Sequence, residues 1–167
     1  MILEFAALLM LGAVPPPPGV VIDHQTKEGR QYIGSPSIVI LKNGDYVASH
    51  DLFGPGSTHR TSAVSRVFRS ADRGLTWTKT AEFSEQFWSN LFVHRKVLYL
   101  MGASCEYGRI VIRKSVDGGR TWSGPAYLTE GANYHTAPMP VVEHKGRLWR
   151  AMEIHPPGKW GFFQALL

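Results

Sequence analysis

The chain has 167 residues and 44% of them are hydrophobic, which is enough to build one packed core. Its 18 Lys and Arg against 13 Asp and Glu give a net charge of +5, but the basic residues are scattered singly, so we expect no nucleic-acid partner. The single cysteine, Cys105, excludes an internal disulfide, and the histidines lack the close pairing of zinc motifs, so neither a metal nor a cofactor is expected.

The N-terminal stretch is apolar. Residues 1–14 carry one charged side chain, that of Glu4, and prolines follow at positions 15–18. The apolar run is too short to span a bilayer, but it has the length of the apolar region of a secretory signal, although no basic residue precedes it. We therefore expect a secreted or periplasmic protein without a stable membrane span. Residues 1–31 would form a signal peptide and a Pro-rich lead-in.

Strand-like runs follow in three groups. The first opens with two runs around Lys42-Asn43-Gly44-Asp45, and Asn-Gly is a strong hairpin signal. The predicted strands are, in chain order, 36–41, 46–51, 62–69 and 76–82 in the first group, 87–93, 97–103 and 109–114 in the second, and 139–143 and 147–154 in the third. No segment has a sustained apolar period near about 3.6 residues, so the chain is predicted to be all-β.

An eight-residue pattern, S-x-D-x-G-x-T-W, occurs twice. Ser and Asp side chains can accept hydrogen bonds from downstream backbone N–H groups, Gly permits the turn, and Thr and Trp begin a strand whose indole covers it. Each copy therefore predicts a self-capped hairpin turn in which the aspartate fixes the backbone and is not catalytic. The residues that carry the pattern are Ser70, Asp72, Gly74, Thr76 and Trp77 in the first copy and Ser115, Asp117, Gly119, Thr121 and Trp122 in the second.

This pattern is the Asp box of the BNR repeats, and the chain resembles the sialidase (neuraminidase) superfamily of β-propellers. The resemblance implies four-stranded antiparallel blades, and the 45-residue step from Ser70 to Ser115 suits such blades. We expect about three blades, at 32–84 and 85–130 and with the start of a third at 131–167. Closed propellers need more, so we interpret the chain as an N-terminal fragment that needs the rest of the propeller to close the ring.

The resemblance also implies a glycan-acting enzyme, an exo-glycosidase of the exo-α-sialidase type with an anionic oligo- or polysaccharide substrate. Sialidases bind the substrate carboxylate with three arginines, the first in an R-I-P stretch just before the first inner strand. Gly34 occupies that place here, and this departure counts against sialic acid. Asp51 is the candidate acid/base of this family, whereas the tyrosine nucleophile of sialidases would fall after Leu167.

A looser resemblance, to the ulvan lyase and rhamnosyl-glucuronate hydrolase type of sialidase-like propeller, fits other residues. Those enzymes act on uronate-bearing polysaccharides with His, Tyr and Arg. The resemblance implies His50 and Tyr134 as base and acid, Arg150 as the cation that neutralises a uronate carboxylate, and His59 and His135 as substrate contacts. A lyase and a hydrolase both stay open, and so does a non-catalytic glycan-binding propeller.

Further loop residues are weaker candidates, because each type is also common in ordinary structural roles. Tryptophans can stack on a sugar ring, but propeller blades also bury them. The additional candidates are Arg60, Glu106, Tyr107, Asn133 and Glu153 as polar groups, and Trp88, Trp149 and Trp160 as aromatic ones.

Overall fold

The computed structural model describes residues 18–155 and 161–167, so the predicted signal segment up to residue 17 and Trp160 lie outside the described residues. The described residues form antiparallel sheets and one short 3₁₀ turn, Lys27–Gly29. The all-β prediction and the four-stranded antiparallel blades are confirmed. Within the described part, no helix has the length and apolar character that crossing a membrane requires.

Blade one is a sheet of four strands, which lie side by side in the order in which they follow along the chain. Its predicted first hairpin turns at Asn43-Gly44, where Gly44 has φ 89° and the N–H of Leu41 donates to the carbonyl of Asp45 over 2.8 Å. The strands are β1 (Tyr32–Ile40), β2 (Tyr46–Phe53), β3 (Val64–Ser70) and β4 (Thr78–Ser84).

Blade two repeats this order with four further strands. Its fourth strand is short, because only two of its residues pair with the third strand. The strands are β5 (Phe87–His94), β6 (Val97–Ala103), β7 (Ile110–Ser115) and β8 (Ala126–Tyr127).

The described part of blade three has an interrupted inner hairpin. The segment 147–154, predicted as one strand, is divided between two sheets. In one sheet Val142 lies opposite Trp149, and in the other Tyr134 lies opposite Ile154. Pro138 and Pro140 lie between the two paired segments, and proline has no N–H to donate to a ladder. The strands are β9 (Tyr134–His135), β10 (Val142–His144), β11 (Arg147–Trp149), β12 (Met152–Ile154) and β13 (Gln164–Leu166).

The best-packed core lies between blades one and two. Side chains of β2 alternate between the two faces of the sheet, so Val47 points toward blade two and packs with Leu91 and Leu98. All three are at most 4% exposed. Each such side chain contributes about 1.5–3 kcal/mol when fully buried, so this interface fixes how the two sheets sit against each other.

The two Asp-box segments form turns with the same hydrogen bonds. In the first, Ser70 Oγ donates to Asp72 over 2.7 Å and accepts the N–H of Gly74 over 2.8 Å, while the N–H of Thr76 donates to Asp72 over 2.9 Å. The indole of Trp77 donates to the carbonyl of Gly74 over 3.0 Å. In the second turn the corresponding bonds join Ser115, Asp117, Gly119, Thr121 and Trp122.

These turns predict an acid-sensitive contribution to stability. Hydrogen bonds from the Thr76 hydroxyl and N–H, followed by that from Ser70, lower the pKa of Asp72 from 3.8 to about 2. The folded state therefore favours the carboxylate, so its contribution is present above pH 3.8 and is lost as pH falls through about 2. We expect the thermal midpoint of Asp72→Asn to fall less over this range than that of the unsubstituted chain. Glu130→Gln, at an exposed acidic residue, is the control, and identical pH curves for all three proteins would contradict this expectation.

Candidate functional site

Loops from successive blades meet at one end of the sheets, which we call the rim. The rim comprises the connections β2–β3, β4–β5, β6–β7 and β8–β9 together with His155, which directly follows β12, whereas both Asp boxes lie at the opposite end. Neighbouring loops touch through their backbones, since the N–H of Glu106 donates to the carbonyl of His59 over 2.7 Å. The N–H of Gln86 likewise donates to the carbonyl of Ala63 over 3.2 Å. The rim therefore holds loop residues of different blades in fixed relative positions.

His59 and Glu106 form the first imidazole–carboxylate pair of the rim. His59 Nε2 lies 3.6 Å from Glu106 Oε2, and Arg60 Nε lies 3.7 Å from the same oxygen. The side chains of His59 and Glu106 are 20% and 15% exposed, whereas that of Arg60 is 76% exposed. Within residues 18–155 and 161–167, Glu106 Oε2 and His59 Nδ1 have no hydrogen-bond partner. Small movements at this pair would therefore give a ligand both a base and a cation.

His135 and Glu153 form the second pair, where Nδ1 of the imidazole lies 2.7 Å from Oε2 of the carboxylate. The edge of the His135 ring meets Trp88, with ring centroids 3.9 Å apart. Tyr107 lies on another side, its ring 5.8 Å from that of His135 and 4.7 Å from that of His155. Aromatic and titratable side chains of blades two and three thus share one surface.

Trp88 reaches the rim because of a β-bulge in β5. The register shifts between Phe87 and Asn90, and Trp88 has φ 46°. A left-handed conformation is unfavourable for an aromatic residue and is retained only where surrounding bonds enforce it. The half-buried indole is consequently presented beside His135 instead of entering the core with Phe87.

The position predicted for a carboxylate-binding arginine holds a glycine that lies against an aromatic ring. Gly34 in β1 lies against the ring of Phe53, and a Cβ at this glycine would be 2.5 Å from Cε2 of Phe53. A longer side chain would require the Phe53 ring to move. An arginine of the R-I-P type would therefore fit at this position only with the Phe53 ring displaced.

His50 lies away from the loops of the rim, in the middle of β2, where it is opposite Arg66. Its Nε2 lies 2.8 Å from Asp23 Oδ2, and Arg66 Nη1 contacts the same oxygen over 3.1 Å. Its ring stacks on Phe68, and with Asp23 and Phe68 it lines a largely apolar cavity of about 450 Å³ on the face of blade one away from blade two. The catalytic role of His50 stays a prediction.

Asp51 points the other way, into the interface between blades one and two. It is 1% exposed, accepts the hydroxyl of Ser65 and accepts the N–H of Ser89 over 3.2 Å. Burial raises the pKa of Asp51 from 3.8 to about 7, although hydrogen bonds from Ser65 and Ser89 oppose the shift. The carboxylate thus joins two sheets, and its predicted acid/base role stays a prediction.

Arg150 and Tyr134 lie at the junction of blades two and three. The Arg150 guanidinium is buried and donates to the Asn90 side chain and, over 2.8 Å, to the carbonyl of Met101. Desolvation lowers its pKa to about 10. Tyr134 is half-buried, and its N–H donates to the carbonyl of Gly108 over 3.1 Å. Among the described residues, neither Arg150 nor Tyr134 contacts His50. The roles predicted for Arg150 and Tyr134 stay predictions.

Comparison with known proteins gives similarity in structure alone. No protein-family model and no curated protein sequence matches the chain. An α-L-arabinanase from Penicillium chrysogenum complexed with arabinobiose superposes on 73% of the chain with a TM-score of 0.50 and 20% identity. The Hadza microbial sialidase Hz136 gives 0.54 and 17%, and an α-L-arabinofuranosidase mutant from Fusarium graminearum gives 0.54 and 14%, each over 73% of the chain. The chain has the fold of a sialidase-like β-propeller.

The chain spans less than half the length of these structural neighbours. The chain covers 40% of the arabinanase, 32% of the sialidase and 40% of the arabinofuranosidase. The similarity to sialidases predicted from the Asp boxes is thus confirmed at the level of the fold.

The structure brings together only part of the predicted site of this sialidase-like propeller. His59 and His135 lie on the rim, where they are accompanied by Glu106, Tyr107 and Glu153. Asp51 and Arg150 lie buried between blades. His50 lies on the face of blade one that points away from blade two. His155 was missed. His155 directly follows β12, just as the loops that carry His59 and Tyr107 follow β2 and β6. The position after the second strand of each blade was therefore the sequence signal that could have identified His155. The described part contains no group of three His, Cys, Asp or Glu side chains suited to holding a metal ion.

Proposed function

We propose that this chain belongs to a glycan-acting propeller that hydrolyses glycosidic bonds at the rim, as an exo-glycosidase of the sialidase superfamily. The observation that carries the proposal is the presence, at one end of the sheets, of two imidazole–carboxylate pairs, of which His135–Glu153 lies beside the half-buried Trp88. Structural neighbours complexed with arabinobiose or with an iminosugar inhibitor support a carbohydrate ligand.

The two pairs suit the two roles that side chains must fill in glycoside hydrolysis. One group must protonate the leaving oxygen, and a second must activate water or stabilise the developing positive charge on the sugar. A carboxylate beside an imidazole orients the ring and stabilises its protonated form, as Glu106 would for His59 and Glu153 for His135. Trp88 offers an apolar ring face on which a sugar can stack.

Arg60 favours an anionic sugar. Its guanidinium is largely exposed next to the His59–Glu106 pair, so it can meet a substrate carboxylate without leaving the rim. Because Gly34 stands in place of the sialidase arginine and lies against the Phe53 ring, a uronate-bearing glycan suits this arrangement better than sialic acid. The net charge of +5 adds a weak, long-range attraction for such a polymer.

A uronate-directed lyase is the second candidate, and Tyr107 is the observation that favours it. Burial, together with the nearby Glu106 carboxylate, raises the pKa of Tyr107, so its hydroxyl remains protonated and can donate to a leaving oxygen. His59 would then remove the proton next to the uronate carboxylate while Arg60 neutralises that carboxylate. The rhamnosyl-glucuronate hydrolase alternative uses the same substrate but gives no unsaturated product.

The test is hydrolysis and binding by the full-length protein that contains this chain, with arabinobiose, a sialylated trisaccharide and an oligoglucuronate as probes. We expect Glu106→Gln and His59→Gln to lower kcat/KM by about 100-fold on the probe that is cleaved. His144→Gln, at the exposed end of β10 away from the rim, is the matched control and should change nothing. Release of reducing sugar indicates the hydrolase, and new near-ultraviolet absorbance indicates the lyase.

Three results would contradict the rim proposal. Loss of activity in His50→Gln but not in His59→Gln would return the reaction to the site predicted from the sequence. Binding without any product would indicate a non-catalytic glycan-binding propeller. A full-length protein that neither binds nor cleaves any of the probes would refute the glycan function proposed for this chain.

A further inference from the structure

Backbone hydrogen bonds join four rim loops in one continuous line, which we call the rim relay. The relay starts where the N–H of Glu106 donates to the carbonyl of His59 over 2.7 Å. From the next residue, the carbonyl of Tyr107 accepts the N–H of Asn133 over 2.7 Å. The carbonyl of Asn133 then accepts the N–H of His155 over 2.8 Å. The relay thus crosses from blade one to blade three without using a side chain.

Asn133 is the residue of the relay that is bonded on both sides. Its φ of 79° is in the left-handed region, which Asn tolerates and β-branched residues avoid. The following residue is held as well, because Tyr134 and Gly108 form an isolated antiparallel bridge. The conformation of this one asparagine therefore fixes the direction in which β9 leaves the rim.

Titratable side chains of the rim depend on that direction. His155 is bonded directly to Asn133, and His135 follows it by two residues on β9. The Tyr107 ring packs near both of these imidazoles, at 5.8 Å from that of His135 and 4.7 Å from that of His155. A rotation of the backbone at Asn133 would change both distances together.

We propose that Asn133 is a positioning residue, which sets the placement of Tyr107, His135 and His155 through its backbone. Its effect on a reaction rate rests on the function proposed above, whereas its effect on the geometry does not. Correct placement of reacting groups is worth large factors in rate, and a displacement of about 1 Å can cost 100-fold.

The test compares Asn133→Val with Asn133→Gly. Glycine adopts the left-handed conformation freely and keeps both backbone bonds, whereas valine disfavours it. We expect Asn133→Val to lower kcat about tenfold or more with little change in KM, and to displace the imidazole Cε1–H NMR signals of His135 and His155. Both quantities should stay near their original values in Asn133→Gly. The signals of His94 and His144, which lie at the other end of the sheets, should not move in either variant.

The NMR readout needs no substrate, so it separates this proposal from the proposed function. Unmoved His135 and His155 signals in a folded Asn133→Val would overturn the positioning role. Movement of all the imidazole signals would also overturn it, because it would indicate general loosening. If the valine variant does not fold, Asn133→Ala gives the same comparison with a milder perturbation. A chain that cleaves no probe but shows the selective displacement would refute the proposed function and support the relay.

Discussion

Replacing Asp51 with alanine is expected to lower the free energy of unfolding by about 3 kcal/mol. The carboxylate accepts the Ser65 hydroxyl and the N–H of Ser89, together with bonds from Ser35 and Trp88, and all of this lies in the interface of two blades. Alanine would leave buried donors unpaired and a cavity between the sheets. Urea unfolding measures the effect, with Glu130→Ala as the exposed acidic control. A loss below about 0.5 kcal/mol would show that Asp51 does not hold the blades together.

The same residue predicts a second pH dependence with the opposite sign to that of the Asp boxes. The folded-state pKa of Asp51, about 7, lies above its ordinary value of 3.8, so the folded state binds more protons between these values. Its stabilising contribution is therefore fully present below pH 3.8 and is lost as pH rises through about 7. Asp51→Asn should lack this decline, which unfolding curves collected across the range will measure. An equal decline in both proteins would assign it to other groups.

Replacing Arg150 with methionine is expected to lower the free energy of unfolding by about 3 kcal/mol. Arg150 is 7% exposed, and besides Asn90 and Met101 its guanidinium donates to Thr136 over 3.3 Å. Methionine fills the volume but leaves these acceptors buried without a donor. Arg150→Lys should recover only part of the loss, because an ammonium cannot reproduce the planar fork of donors.

Arg147→Met is the matched control for Arg150, because it removes an exposed arginine from the same hairpin region. Urea unfolding of the three variants separates a structural cation from a substrate-binding one. An Arg150→Met chain as stable as the original would leave the carboxylate-binding role predicted from the sequence as the better explanation.

The features predicted correctly are those that short stretches of chain determine. Asn43-Gly44 specifies its hairpin through two adjacent residues, and each Asp box makes its bonds within eight. The inner hairpin of blade three was predicted with continuous strands, and the effect of Pro138 and Pro140 on its ladder was not taken into account.

The candidate site was harder to predict because its pairs join residues distant in sequence. The partner of His59 is Glu106, and the ring that meets His135 is Trp88. His50 was assigned to the site from its place at a strand end. Six consecutive residues of β2 are buried, which means that both faces of this strand are covered. A strand covered on both faces has no regular alternation of polar and apolar residues, so the sequence did not indicate which face His50 occupies.

The separation of the two ends of the sheets has a consequence for how such a protein can diversify. The Asp boxes stabilise one end through their side chains, so substitutions there are costly. At the rim, backbone hydrogen bonds join the loops, so their side chains can be substituted while the loops keep their relative positions. New substrate preferences can therefore arise by drift in these loops without a loss of the architecture.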